Sequence, residues 1–210
     1  MKKLIPLLMM VMAFVACEKG PDMDKLDNKY LVYTNYDTKA DFKAFQTYYM
    51  PDSILIISNK KEATYWKDDN AQEILKTYVT NMNNRGYVRV DNRNEANLGL
   101  QVSYIESTYY FRDYGAPEWW WNYPGYWDAP YWGNWGGWYY PYAVTYTYST
   151  GAFITEMLNL EATQGDKQKL PVLWTSYMSG LLSGSSTVNM QLAVEGVNQA
   201  FNQSAYLTNK

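Results

Sequence analysis

NLGLQVSYIEST, Asn97 to Thr108, alternates: Leu98, Leu100, Val102 and Tyr104 fall on one side of an extended chain, Gly99, Gln101 and Ser103 on the other. A side-chain period of two belongs to a β-strand, and apolar residues on one side only are the pattern of an antiparallel sheet with one solvated face. The stretch therefore predicts a strand with one wet face.

Downstream, Tyr142, Val144, Tyr146 and Tyr148 alternate with Ala143, Thr145, Thr147 and Ser149 in the same way, and Thr150-Gly151 turns the chain into FITEMLNL. LPVLWTSYM, Leu170 to Met178, supplies another strand after the polar turn from Thr163 to Lys169. Strands following one another in sequence favour a meander. Upstream, Tyr30 to Tyr33 and Thr47 to Ile57 are rich in β-branched and aromatic residues, the latter around a turn at Pro51-Asp52.

Two segments change period. Ala71, Ile74, Leu75, Tyr78 and Met82 recur at helical spacing between Asp69 and Asn84, with Asp69 as the expected cap and Gly86 beyond the end. Met190, Ala193, Val194, Val197, Ala200 and Phe201 mark the inner stripe of a second helix, with Ser185, Ser186 and Thr187 as capping hydroxyls. Gly196 beside that stripe permits close approach to a sheet. The expectation is one α+β domain over 30–207: an antiparallel meander sheet, two helices packed on one face, and a long Trp/Tyr-rich loop at 114–142 between two strands.

That loop contains EWWWNYPGYWDAPYWGNWGGWYYPY, Glu118 to Tyr142, with Trp119, Trp120, Trp121, Trp127, Trp132, Trp135 and Trp138 joined by Tyr123, Tyr126, Tyr131, Tyr139, Tyr140 and Tyr142. At roughly 150–250 Å² per ring, these residues carry on the order of 2,500 Å² of surface, several times the largest apolar patch of an ordinary monomer. Something must cover them. The sheet's own bare face, a lipid headgroup layer, another protein and a glycan are the four takers that the chemistry admits. The seven tryptophans, with Tyr126 and Tyr131, are the candidate binding residues. As an insertion, Ala116 to Pro141 is expected to be removable with the domain still folded.

The chain opens MKKLIPLLMMVMAFVAC: Lys2 and Lys3, then an apolar run from Leu4 to Val15 broken only by Pro6. This is the pattern of a signal peptide, 1–16. A spanning helix needs about 20 apolar residues, more than this run holds. Phe14-Val15-Ala16-Cys17 resembles a bacterial lipobox, with Phe14 where Leu is usual. Thioether-linked diacylglycerol and an N-acyl chain such as palmitate on Cys17 exceed the two lipid signals that stable anchoring needs. The expectation is a chain lipid-anchored to the outer membrane, with 17–29 as an acidic flexible tether.

Composition narrows the chemistry. Loss of Lys2 and Lys3 takes the formal charge from −3 to −5 (−3 minus 2), and no basic stripe offers itself to phosphate backbones. Nucleic acid is a poor partner. The chain has no histidine and its one cysteine is Cys17, which excludes Ser-His and Cys-His nucleophiles and thiolate or imidazole zinc sites. Glu118 and Asp128 sit among the tryptophans as glycosidase carboxylates do, but spacing alone does not hold them as a pair. Asp22, Asp24 and Asp27 lack calcium-loop spacing, and Ser183, Ser185 and Ser186 have no neighbouring base. The reading is a non-enzymatic protein without catalytic residues, metal or cofactor. Its expected contacts are a membrane through the lipid anchor, an envelope protein, or a glycan.

Several stretches together resemble a known family: NYDTKADFKAFQTYYMPDSI, NNRGY at Asn83 to Tyr87, EANLGLQVSY at Glu95 to Tyr104, TGAFITEMLNL at Thr150 to Leu160, LPVLWTS at Leu170 to Ser176, GLLSG at Gly180 to Gly184, and AFNQSAYL at Ala200 to Leu207. In order and spacing the chain is similar to the envelope lipoprotein family catalogued as domain of unknown function 4136, in its Bacteroidetes form. It departs from that pattern with Glu156 and Asn159 where Asp residues are frequent, and with Ala205 in place of a Pro. The resemblance implies location and fold rather than an activity.

Overall fold

A computed structural model describes residues 30–58, 63–106, 132, 137–144, 149–162, 169–181 and 186–210. The predicted signal peptide and tether, Cys17 included, lie outside the described residues.

The longest strands form an antiparallel group: β1 (Leu31–Tyr36) pairs with β9 (Leu170–Ser179), β9 with β8 (Ala152–Asn159), and β8 with β6 (Leu98–Ile105). The neighbours β6, β8 and β9 are antiparallel as expected, and Gly151 with a positive φ of 78° precedes β8, but the expected strand over 142–149 does not stand between β6 and β8. The other edge of β6 corrects that expectation, because β2 (Thr47–Tyr49) and β3 (Ile54–Ile57) both run parallel to it. β5 (Val88–Arg89) continues beside β2 in parallel, and β4 (Thr64–Trp66) folds back on β3. The sheet is therefore mixed. The reason is α1 (Asp69–Asn84): a helix between two paired strands carries the chain back to its starting end, and the second strand must then run parallel to the first.

β2 and β3 lie end to end along β6. Tyr49 faces Gly99 and Leu55 faces Ser103, so the β2–β3 stretch carries two more residues than β6 opposite it, at the break containing Pro51. Proline has no N–H for the ladder and belongs at such an interruption.

α1 and α2 (Ser186–Asn202) cover one face. Asp68, not Asp69, caps α1, accepting from Ala71 N at 3.1 Å. Gly86 follows with φ 93°. The helix stripes meet Leu98, Leu100, Val102, Phe153, Met157, Trp174 and Met178 in one core. Val194 and Met190 of the expected α2 stripe are only half-buried, whereas Ala193, Val197, Ala200 and Phe201 are buried. Polar pins cross the layer: Tyr78 Oη pairs with Thr155 Oγ1 at 2.5 Å, and Trp174 Nε1 donates to Ser204 Oγ at 2.9 Å.

Burial of phenols in this core fixes an alkaline limit. Burial pushes Tyr48 up to about 12 against the pull of the Arg89 guanidinium, and raises Tyr78 and Tyr87 as well. The unfolded chain releases these protons near pH 10, so above that pH it binds fewer protons than the native state. Stability then falls as pH rises towards 12. In an ultraviolet phenolate titration the three rings are expected to ionise only as the fold is lost. Reversible ionisation of all tyrosines near pH 10 with the fold intact would contradict this.

Candidate functional site

The wet face predicted for β6 is not wet. Gly99, Gln101 and Ser103 are buried, and the opposite side of the sheet forms a second core of Leu55, Ile57, Ile105, Ile154, Leu158, Val172 and Tyr177 with Trp132 and Trp138. The residues described between 132 and 144 place contacts across five strands. Trp132 lies over the start of β6, edge-on to Tyr49 at 5.8 Å, and Trp138 stands edge-on to Trp132 at 6.4 Å. Trp138 and Tyr139, as β7, pair in parallel with Leu170 and Pro171 of β9. Tyr140 and Tyr142 follow as an edge-on pair at 5.9 Å, and Ala143 O accepts from Asn35 Nδ2 of β1 at 2.8 Å.

Beneath these rings a transverse polar row is set by register: Gln101, Glu156, Thr175 and Asn35 are successive cross-strand partners. Each meets a specific group. Trp132 Nε1 donates to Gln101 Oε1 at 3.0 Å, and Gln101 Nε2 donates to Val102 O at 3.0 Å. Trp138 Nε1 donates to Glu156 Oε1 at 3.1 Å, and the Tyr140 hydroxyl donates to the same oxygen. Thr175 Oγ1 donates to Thr155 O at 3.1 Å. A buried indole or phenol needs a partner for its one polar edge, and a buried carboxylate needs donors. The row and the rings satisfy each other.

Gly99 explains how Trp132 comes so close. A Cβ there would drive into the Trp132 ring, which its hydrogen bond to Gln101 keeps from sliding away. Gly99→Ala is expected to lower stability by about 1–3 kcal/mol through overpacking, read as an earlier urea midpoint. An unchanged midpoint would mean that the ring does not sit on β6.

Of the nine candidate binding residues, the structure describes Trp132 and Trp138, 1 % and 0 % exposed. Both belong to the domain's own core on the sheet's second face, and both lie within Ala116 to Pro141, the segment expected to be removable. Trp119, Trp120, Trp121, Trp127, Trp135, Tyr126 and Tyr131 lie outside the described residues, as do Glu118 and Asp128 and the Thr145–Tyr148 part of the strand predicted over 142–149. The described Tyr142, Ala143 and Val144 are not in a strand.

Sequence reasoning missed Gln101 and Glu156 as partners of the rings. It also missed Asn97, whose Oδ1 accepts from Gln46 N and Thr47 N at 2.9 Å while its Nδ2 donates to Glu161 Oε1 at 2.6 Å, tying β2 to the ends of β6 and β8. The only prior signal was a polar residue on each alternate position. Among the described residues no group of three or more potential metal ligands gathers, and no helix is long and apolar enough to cross a membrane.

A crystal structure of a DUF4136 family protein from Bacteroides thetaiotaomicron VPI-5482 is similar to this chain at 59 % identity and a TM-score of 0.80, covering 87 % of this chain and 99 % of that one. No curated protein matches. The family model described as Domain of unknown function (DUF4136) matches residues 32–204, from β1 to just past the end of α2, and the chain belongs to that family.

Proposed function

We propose that this is a non-enzymatic lipoprotein of a diderm bacterial envelope, held on the outer membrane by lipidated Cys17, and that its aromatic segment contacts another envelope protein or the membrane. The observation that carries the reading is the anchoring of Trp132 and Trp138. These two rings are fixed to the sheet, and Trp119, Trp120, Trp121 and Trp127 precede them in the chain. A contact surface held in this way loses less entropy on docking, and Trp is the residue most enriched in binding hot spots. Gln101 and Glu156, the polar groups beneath the segment, act as acceptors for ring donors, a structural use.

The test replaces Trp119, Trp120, Trp121 and Trp127 together by Ser in the full chain. The expected outcome is an unchanged thermal midpoint, with loss of co-purification with envelope proteins or of sedimentation with phosphatidylethanolamine vesicles. Retention of both associations would overturn the contact role. Mass spectrometry finding Cys17 unacylated would overturn the anchor.

A second reading, carbohydrate binding, has its own observation. A polar cleft of about 330 Å³ beside Trp132 is lined by Arg93, Asn94, Glu95, Asn97 and Glu161, and paired amides, acids and a guanidinium suit sugar hydroxyls. Calorimetric titration with oligosaccharides, expected to lose its heat in Arg93→Ala, tests it. No heat with the unmodified chain would remove it.

A further inference from the structure

On the helix side, at the other end of the sheet, lies a cleft of about 340 Å³. Its floor is an aromatic triad: Tyr104 and Phe153 at 5.0 Å, Trp66 and Tyr104 at 5.9 Å, Trp66 and Phe153 at 6.3 Å. Asp68, the cap of α1, holds the Trp66 indole through a 2.5 Å hydrogen bond. Ile74 of α1 and Met190 and Ala193 of α2 form the walls. The two helices meet through their later turns, where Asn81 Nδ2 donates to Asn198 Oδ1 at 2.7 Å and Tyr78 meets Phe201, and their earlier turns flank the cleft.

Three features define what fits. The described lining contains no Lys, Arg, Asp or Glu, and so offers no countercharge to a buried ligand. Asn70 and Asn189 are its only side-chain amides, enough for one polar group. The volume lies at the lower end of ligand pockets, about 300–1,000 Å³, and at roughly 30 Å³ per water-sized group holds on the order of ten methylenes.

The path of the chain adds a fourth. Leu31 pairs with Ser179, two residues before Leu181 of the cleft wall, and Tyr30 packs against the helix-side core. β1 therefore begins at the cleft's end of the sheet. Cys17 is 13 residues before Tyr30, a reach of up to about 45 Å.

We propose that the cleft over Trp66, Tyr104 and Phe153 binds a single alkyl chain of a lipid, supplied either by the acyl group on Cys17 or by a free or bilayer lipid. The choice of Cys17 as one source rests on the lipoprotein reading above; the cleft's affinity for an alkyl chain does not.

The test uses the full chain carrying Cys17→Ser, which cannot be acylated, and a dansyl-labelled undecanoic acid as probe. Displacement by unlabelled fatty acids is expected to tighten about four-fold per added methylene and to level off near the length the cleft holds. Ala193→Phe, which fills the cleft, is expected to weaken binding at least ten-fold with the thermal midpoint retained. Met190→Trp at the rim serves the same purpose if Ala193→Phe does not fold. Tyr139→Ala, on the opposite face, is expected to leave binding unchanged.

Absence of probe binding, affinity indifferent to chain length, or binding untouched by the cleft variants would overturn the proposal. So would loss in Tyr139→Ala alone. The sources separate in the acylated chain. Probe excluded there but bound by Cys17→Ser assigns the cleft to the chain's own lipid, and equal binding by both assigns it to an external one. Mass spectrometry of Cys17 reads the lipoprotein assignment independently.

Discussion

Trp138→Ala is expected to lower stability by about 3–5 kcal/mol, the range for truncating a fully buried tryptophan. The loss has two parts. The ring packs edge-on against Trp132 at 6.4 Å in the second core, so its removal opens a cavity beside the sheet. Its Nε1–H also donates to Glu156, which loses a donor in a place where water does not replace it. Trp138→Phe separates the parts, keeping much of the packing without the donor, and is expected to cost less than half as much. Urea unfolding followed by far-ultraviolet circular dichroism measures both. A loss under 1 kcal/mol for Trp138→Ala would mean that the segment does not pack on the sheet.

The second large effect is at Glu156 itself, 0 % exposed and central in the polar row. Glu156→Ala removes the acceptor for both the Trp138 indole and the Tyr140 hydroxyl. Each orphaned buried donor costs about 1–3 kcal/mol, and the missing methylenes add to this, so the expected loss is about 3–5 kcal/mol. Glu156→Gln keeps an oxygen in place and is expected to be markedly milder. Because Trp138 and Glu156 share one bond, Trp138→Phe and Glu156→Ala, each of which removes it, should combine non-additively, with a coupling of about 0.5–3 kcal/mol. Strict additivity would deny the contact.

Much of the fold was legible because period reads burial. Both helices, the extended character of β6, β8 and β9, and the glycine turns came from alternation, helical stripes and Gly punctuation. The parallel strands were missed although their signal was present: Thr47 to Ile57, a helix, then Asn97 to Thr108 is a strand-helix-strand order, and such a crossover returns a parallel neighbour. β4 and β5, three and two residues long, are too short for periodicity to register.

The covered face shows a different limit. Alternation located Gly99, Gln101 and Ser103 on one side of β6, but polarity does not say whether the partner is water or another side chain. Gly99 makes room for Trp132, and Gln101 and Glu156 receive the indole N–H groups. Those are roles that depend on residues more than 15 positions away in sequence. Trp132, Trp138 and Tyr140 are the counterpart of this polar row. Neither half is interpretable without the register that brings Gln101 opposite Glu156.

The most direct measurement is hydrogen exchange at the indole nitrogens, followed by nuclear magnetic resonance on the folded chain. Trp132 and Trp138 are predicted to exchange as slowly as the backbone amides of β6 and β8, because their N–H groups are enclosed and bonded to Gln101 and Glu156. Exchange of both at the rate of a free indole, while the strands stay protected, would contradict the assignment of these rings to the core.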